Sequence, residues 1–210
     1  RDAMAALIEA GYCHALMAGN ALATHALEAS RFRAALGHEI YTQELRPGGH
    51  CNHLDIINEV RRCGSIPAAI EELGLTDGVL AACERRQVPY VLAGSIRDDG
   101  PLPGVIIDVC QAQDAMRVHA RLATTVPALA TQLHAIAFGN MLPGYQLGYE
   151  GTVRPVYFFV VDMLSRSHTR RQTQRANLLK GELELPIGDP DYLPEILRNK
   201  RIVVLDLALM

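Results

Sequence analysis

Tryptophan is missing from this chain, and aromatic side chains make up only 5% of it. Any core must therefore be aliphatic, built from Ala, Leu, Ile and Val, and the 49% hydrophobic content of the 210 residues is enough to supply one. That composition suits helices packed on a sheet and excludes a disordered chain. Long apolar runs are missing too. None approaches the roughly 20 residues that cross a bilayer, and no charged-then-apolar leader opens the chain. An excess of positive charge is also absent: the net charge of −3 argues against a general nucleic-acid binder. Residues 151–210 carry 9 basic and 7 acidic side chains, which leaves −5 on residues 1–150. Cys13, Cys51, Cys63, Cys83 and Cys110 are widely spaced, odd in number and form no CxxC pair. Reduced structural thiols in a cytoplasmic protein are the expectation. An initiator Met is lacking, and Arg1 sits against an apparent helix, DAMAALIEAG, as in a processed protein or a piece of a longer one.

The first helix stops at Gly11, and His14–Ala18 reads as a short strand ending in Gly19-Asn20. A helix-forming stretch, ALATHALEASRFRAALG, follows. Strand, Gly-Asn and helix together resemble the opening of a nucleotide-binding βα unit, in which glycine lets the backbone approach a phosphate and the helix N-terminus offers N–H groups to an anion. A simple turn at Gly19 is the alternative, since a full GxGxxG is lacking. The polar loop YTQELRPGGHCNH leads to the helix LDIINEVRRCG, whose Leu54, Ile57 and Val60 recur at helical spacing. Ser65 is expected to cap the next helix, with Thr76 or Asp77 opening another. Val88–Ala93 reads as a buried parallel strand. Beyond it, Val109, Ala112 and Met116 have helical spacing, Pro127 is expected to begin the helix ALATQLHAIAFG, and PVYFFVVD and KRIVVLDLALM supply two further strands. Strands alternating with helices predict an α/β fold with a mostly parallel sheet and helices on both faces.

Chemistry concentrates in a few places. The loop GSIRDDGPLPG follows a strand, at the carboxyl end where open parallel sheets bind ligands. It joins Ser95 and Arg97 to adjacent carboxylates at Asp98 and Asp99. Repulsion within that pair would raise one carboxyl toward proton transfer. Alternatively one carboxylate holds Arg97 while the other accepts from a ribose, and a plain surface turn is an equal rival. His50, Cys51 and His53 fall within four residues, open to three readings: a metal site, with His25, His119 or His134 as further ligand, a polar helix cap, or substrate contact through His50, Asn52 and His53. His134 in an apolar helix reads first as a core residue, and Gly139-Asn140 as a helix C-cap. Asp162 ends a strand, where an acid in a Rossmann-like fold can accept from ribose hydroxyls. Arg166, Arg170, Arg171 and Arg175 read as a solvated helix face before a phosphate site.

Five segments, GNALATH (19–25), GGHCNHLDIINEVRRCGSI (48–66), PYVLAGSIRDDGPLP (89–103), DVCQAQDAMR (108–117) and ATQLHAIAFGNMLP (130–143), stand together in one order. That order resembles the family named for a conserved region of the lysine-oxoglutarate reductase/saccharopine dehydrogenase bifunctional enzyme. Its members include the archaeal-type ornithine cyclodeaminase and the C-terminal part of the cyanobacterial arginine dihydrolase/ornithine cyclodeaminase. The resemblance covers about residues 1–145. It implies a Rossmann-like domain similar to that of deoxyhypusine synthase, a tightly bound NAD, and conversion of L-ornithine to L-proline and ammonia by a hydride taken from Cα and later returned. It further implies NAD contacts at Asn20, Ala21, Asp99, Asn140, Met141, Leu142 and Pro143, with Asp162 on the ribose. His50, His53 and Asp98 are then expected to move protons, and Arg97 and Asn52 to hold the amino-acid substrate, without a metal. A related NAD enzyme acting on another diamino or guanidino amino acid, or a non-catalytic NAD-binding subunit, are the alternatives. Homo-oligomerisation, or partnership with the N-terminal domain that the family normally carries, is expected. Residues 146–210 depart from the family pattern, with SRSHTRRQTQRANLLKGELELPIGDPDYLPEIL in its place, and are expected to complete the same sheet.

Overall fold

The computed structural model describes residues 1–94, 100–129, 133–147, 153–161 and 203–206. Along the chain run α1 (Asp2–Glu9), β1 (Ala15–Gly19), α2 (Asn20–Phe32), β2 (Ala34–Ala35), β3 (His38–Glu39), α3 (Cys51–Cys63), α4 (Ile66–Glu72) and α5 (Val79–Arg86). Then follow β4 (Tyr90–Ala93), α6 (Val109–Ala120), β5 (Thr125–Leu129), α7 (Leu133–Met141), β6 (Tyr145–Leu147), β7 (Val153–Pro155), β8 (Tyr157–Val161) and β9 (Val203–Asp206). Strands β4, β1, β9, β5 and β8 lie side by side in that order, all parallel.

Side chains on a strand alternate between faces, and β1 shows what that does here. Leu16 and Ala18 belong to an aliphatic core with Ile8, Leu27, Ile57, Val60, Leu80 and Leu92. Ala15 and Met17 point into a second core with Val91, Val126, Ala128, Phe138 and Val156. The buried faces of α1 to α5 cover one side of the sheet; α6 and α7 contribute to the other. This double covering explains why the central strands read as unbroken apolar runs. Strand β8 is different: as the edge strand it leaves Tyr157, Val160 and Val161 exposed. Among the described residues no helix is long and apolar enough to cross a membrane.

Local chemistry accounts for the element ends. The Ser65 hydroxyl accepts from the Ala68 N–H at 3.2 Å, capping α4 as predicted. Ser65→Ala is expected to lower stability by about 1 kcal/mol, read as a shift of the urea midpoint at unchanged slope. Asp108 caps α6 by accepting from the Gln111 N–H at 2.8 Å. Helix α5 is capped by neither Thr76 nor Asp77; Gly78, at φ 95°, takes the cap position. Asp77 instead accepts hydrogen bonds from the Ser30 hydroxyl and the Arg1 guanidinium. Partial burial alone would raise its carboxyl, but those donors hold it below the usual aspartate range.

Four expectations need correction. Helix α2 stops at Phe32 instead of running to Gly37, because Arg33 turns left-handed. Leu36 and Gly37 then both take positive φ, the tight-turn geometry of a hairpin joining β2 to β3. Leu54 is 54% exposed, and Ile56 takes its place in the buried face of α3. Pro127 lies inside β5 rather than opening a helix. The β-branched Thr124-Thr125-Val126 run favours strand, and proline is tolerated because the ladder from β9 reaches β5 only at Ala128 and Leu129. Gly139 and Asn140 are in the last turn of α7, so they are not its C-cap.

Candidate functional site

Chain connections define where a ligand can sit. From β1 the chain passes to β4 on one side, then crosses to β5 on the other, so the strand order reverses beside β1. In an open parallel sheet the crevice at the carboxyl ends of strands next to such a reversal is the binding position. Here that end is formed by Gly19, Asn20 and Ala21 after β1, and by Gly94 after β4.

Asn20 is only 3% exposed, and its Oδ1 accepts the Leu102 N–H at 2.9 Å. This bond ties the first turn of α2 to the β4–α6 loop. The base of that loop is closed by the Gly94 N–H donating to the Ile106 carbonyl at 2.9 Å, and Arg61 of α3 donates to the Pro101 carbonyl at 3.3 Å. Helix α2 starts without a side-chain cap and without an acidic residue in its first turn, and Ala21 is exposed there. The leading N–H groups of such a helix have no partner within it and favour an anion.

Farther along α2, Thr24 and Glu28 continue the row begun by Asn20 at a spacing of four, so all three share one buried face. Glu28 is fully buried. Its Oε2 lies 3.2 Å from His25 Nδ1 and 3.3 Å from His53 Nδ1, and the two imidazole centroids are 4.9 Å apart. Its Oε1 is buried with no hydrogen-bond partner among the described residues. Both histidine side chains keep about a fifth of their surface exposed, 21% for His25 and 19% for His53.

His53 is delivered by the first turn of α3, and the preceding Gly48-Gly49 explains how. Gly48 takes φ +69°, and a Cβ on Gly49 would fall 2.9 Å from Gly37 Cα and 3.0 Å from the Arg46 carbonyl. Only glycine lets this turn pass under the β2–β3 hairpin. His50 is exposed at the cap position of α3, and Asn52 is half-buried. His50, Cys51 and His53 do not form a metal cluster; the His25–Glu28–His53 group is instead the set with metal-ligand spacing among the described residues.

The remaining predicted residues divide. Arg97, Asp98, Asp99 and Asp162 lie outside the described residues, the first three between Gly94 and Gly100, the last directly after β8. Asn140 and Met141 stand in the last turn of α7, with Leu142 and Pro143 just beyond it. Helix α7 starts after the carboxyl end of β5 and runs back, and its end is held at the opposite edge. There Gln146 donates to the Ala123 carbonyl at 3.2 Å, and the Tyr157 N–H donates to the Thr124 carbonyl at 2.9 Å. Two of the thiols are disfavoured as thiolates. Burial pushes Cys83 up to about 12 and raises Cys63, while the Tyr90 hydroxyl is raised by burial and by its 2.6 Å bond to Glu84. Sequence reasoning missed Thr24 and Glu28. The signal was available: polar residues at 20, 24 and 28 interrupt an otherwise Ala- and Leu-rich helix face at one-turn intervals.

Parallel sheet, covered faces and strand-order reversal define a Rossmann-type α/β domain. Residues 1–156 match the model of the family described as arginine dihydrolase ArgZ-like, C-terminal, Rossmann fold, and the chain belongs to that family. It is 52% identical over 145 residues to the ornithine cyclodeaminase of Methanopyrus kandleri, covering 69% of this chain and 35% of that protein. It is 43% identical over 137 residues to the bifunctional arginine dihydrolase/ornithine cyclodeaminase AgrE of Nostoc sp., covering 65% of this chain and 20% of that one. Among solved structures, a conserved LOR/SDH protein from Methanococcus maripaludis S2 superposes with a TM-score of 0.75 at 38% identity, covering 85% of this chain and 50% of that one. The ternary complex of AgrE with ornithine and NAD+ superposes with a TM-score of 0.66 at 34% identity, covering 84% and 28%. The chain thus spans about a third of the length of the archaeal relative and about a fifth of the cyanobacterial one. The family resemblance read from the motifs is borne out.

Proposed function

We propose that this chain is the NAD-binding, ornithine-handling part of an ornithine cyclodeaminase, converting L-ornithine to L-proline and ammonia. The observation that carries this reading is the open end of β1. An uncapped helix with an exposed Ala21 stands at the strand-order reversal, in a chain 34% identical to a protein solved with ornithine and NAD+. The residues there fit a dinucleotide: no carboxylate in the first turn of α2 repels a pyrophosphate, and Asn20 is spent on holding the adjacent loop.

A bound NAD would supply a reversible hydride acceptor for Cα of ornithine. The chain itself must orient the substrate and manage its protons. In this reading the α2 N-terminus and Ala21 hold the cofactor's anionic part. Asp99 and Asp162 serve its hydroxyls, Arg97 and Asn52 hold the amino acid, and His50, His53 and Asp98 exchange protons. Residues 146–210 complete the same domain through β8 and β9. In this reading the protein acts in the cytoplasm, as a homo-oligomer or beside a domain outside this chain.

The purified chain is expected to carry NAD detectable by absorbance and mass, and to form proline from L-ornithine. Bound NAD without proline would leave a non-catalytic subunit or an enzyme of another diamino acid; no NAD at all would overturn the cofactor assignment.

A further inference from the structure

Glu28 presents a problem that packing does not solve. A carboxylate with no exposed surface costs several kcal/mol unless its charge is compensated, and among the described residues no Lys or Arg pairs with it. The other charged pair joining α2 to α3, Arg31 with Glu59 at 3.1 Å, is satisfied within itself. Among the described residues, two imidazoles face Glu28, both through Nδ1 and both on the same oxygen, while its second oxygen has no hydrogen-bond partner there. A core carboxylate placed only for structure would have both oxygens satisfied. Were both rings to donate to this carboxylate, an acceptor when ionised, proton exchange would fall to Nε2 of each ring. Side chains on a helix lean toward its N-terminus. That direction turns His25 and Glu28 toward the β1 end of α2, where Asn20 lies about 8–12 Å away at 1.5 Å per residue.

We propose that His25, Glu28 and His53 form one proton-exchange unit for the primary-amine groups of the substrate, with Glu28 as the positioning residue and the two imidazoles as the groups that take and return protons. This rests on the ornithine reading above. The chemistry matches in number: both nitrogens of ornithine enter as ammonium and must each lose a proton, the α-nitrogen before Cα is oxidised, the δ-nitrogen before it attacks Cα. The protons end on the ring nitrogen of proline and on the ammonium released. The site gives back every proton it takes, so two partly exposed rings on one carboxylate suffice and no net acid or base is consumed.

The test uses the full chain and E28Q, which keeps the side-chain shape and removes the charge. In the wild type, 15N shifts of the His25 and His53 rings are expected to show Nδ1–H tautomers, and E28Q is expected to lose that preference. E28Q should also lower kcat for proline formation about 100-fold and displace the pH-rate profile, with KM for ornithine and NAD content little changed. H25Q checks the same profile independently if E28Q folds poorly. Nε2–H tautomers in the wild type, or an unchanged kcat in E28Q, would overturn the proposal. So would about one equivalent of zinc bound by the wild type and lost in E28Q, since the same three atoms have metal-ligand spacing. If the wild type binds NAD but makes no proline, the ornithine reading fails, and with it the substrate assigned to this unit. The ring shifts then report only whether Glu28 positions the two imidazoles.

Discussion

A chain ending at residue 202 is expected to lose its cooperative fold. Strand β9 is the last element in the sequence but the middle one in the sheet, paired with β1 from Ala15↔Val203 to Met17↔Leu205 and with β5 at Ala128↔Leu205 and Leu129↔Asp206. Ala15, Leu16 and Met17 are at most 2% exposed. Removing β9 strips ladder partners from backbone groups that water does not reach, at about 1–3 kcal/mol for each group left unsatisfied. A few such losses together match the whole stability of an ordinary domain, about 5–15 kcal/mol. The gap would also open between β1 and β5, the place where the strand order reverses and the proposed cofactor sits. Far-UV circular dichroism and urea unfolding of the truncated chain check this. A transition with the same midpoint and slope as the full chain would show that β9 does not hold the sheet together.

That central place for β9 was not legible in advance. KRIVVLDLALM reads as a strand from its β-branched run, but a sequence does not state which strands become neighbours, and this one comes from beyond the part that carries the family motifs. Local chemistry was far more readable. Ser65 as a cap, Gly11 as a stop and Gly19-Asn20 as the β1–α2 turn each depend on residues within four positions, and each stands as expected. Pro127 misled because the apolar stretch around it has no period that separates helix from strand, and the strand answer depends on how far β9 reaches. At the candidate site, His53 draws attention through its own motif. Glu28 does not, because its role exists only where α2 and α3 meet, bringing residues 25 positions apart onto one oxygen. Motifs expose residues that cluster along the chain, whereas pairing across a helix interface does not show in spacing.

Phe138→Ala is expected to destabilise the protein by about 3–5 kcal/mol, the largest effect of any single substitution considered. Phe138 is 1% exposed and is the largest fully buried side chain among the described residues. It joins α7 to the core formed with Met17 of β1, Val126 and Ala128 of β5, and Val156. Aromatic residues are scarce in this protein, and most other members of that core are alanine or valine, too small to move into the space a phenyl ring leaves. The cavity would stay open, which sets the upper end of the range. Gly139 beside it faces Phe158, where an added Cβ would meet the ring at ordinary contact distance, 3.4 Å. Urea unfolding monitored by circular dichroism gives the number. A loss below about 1 kcal/mol would mean that α7 is not seated on β5 through Phe138.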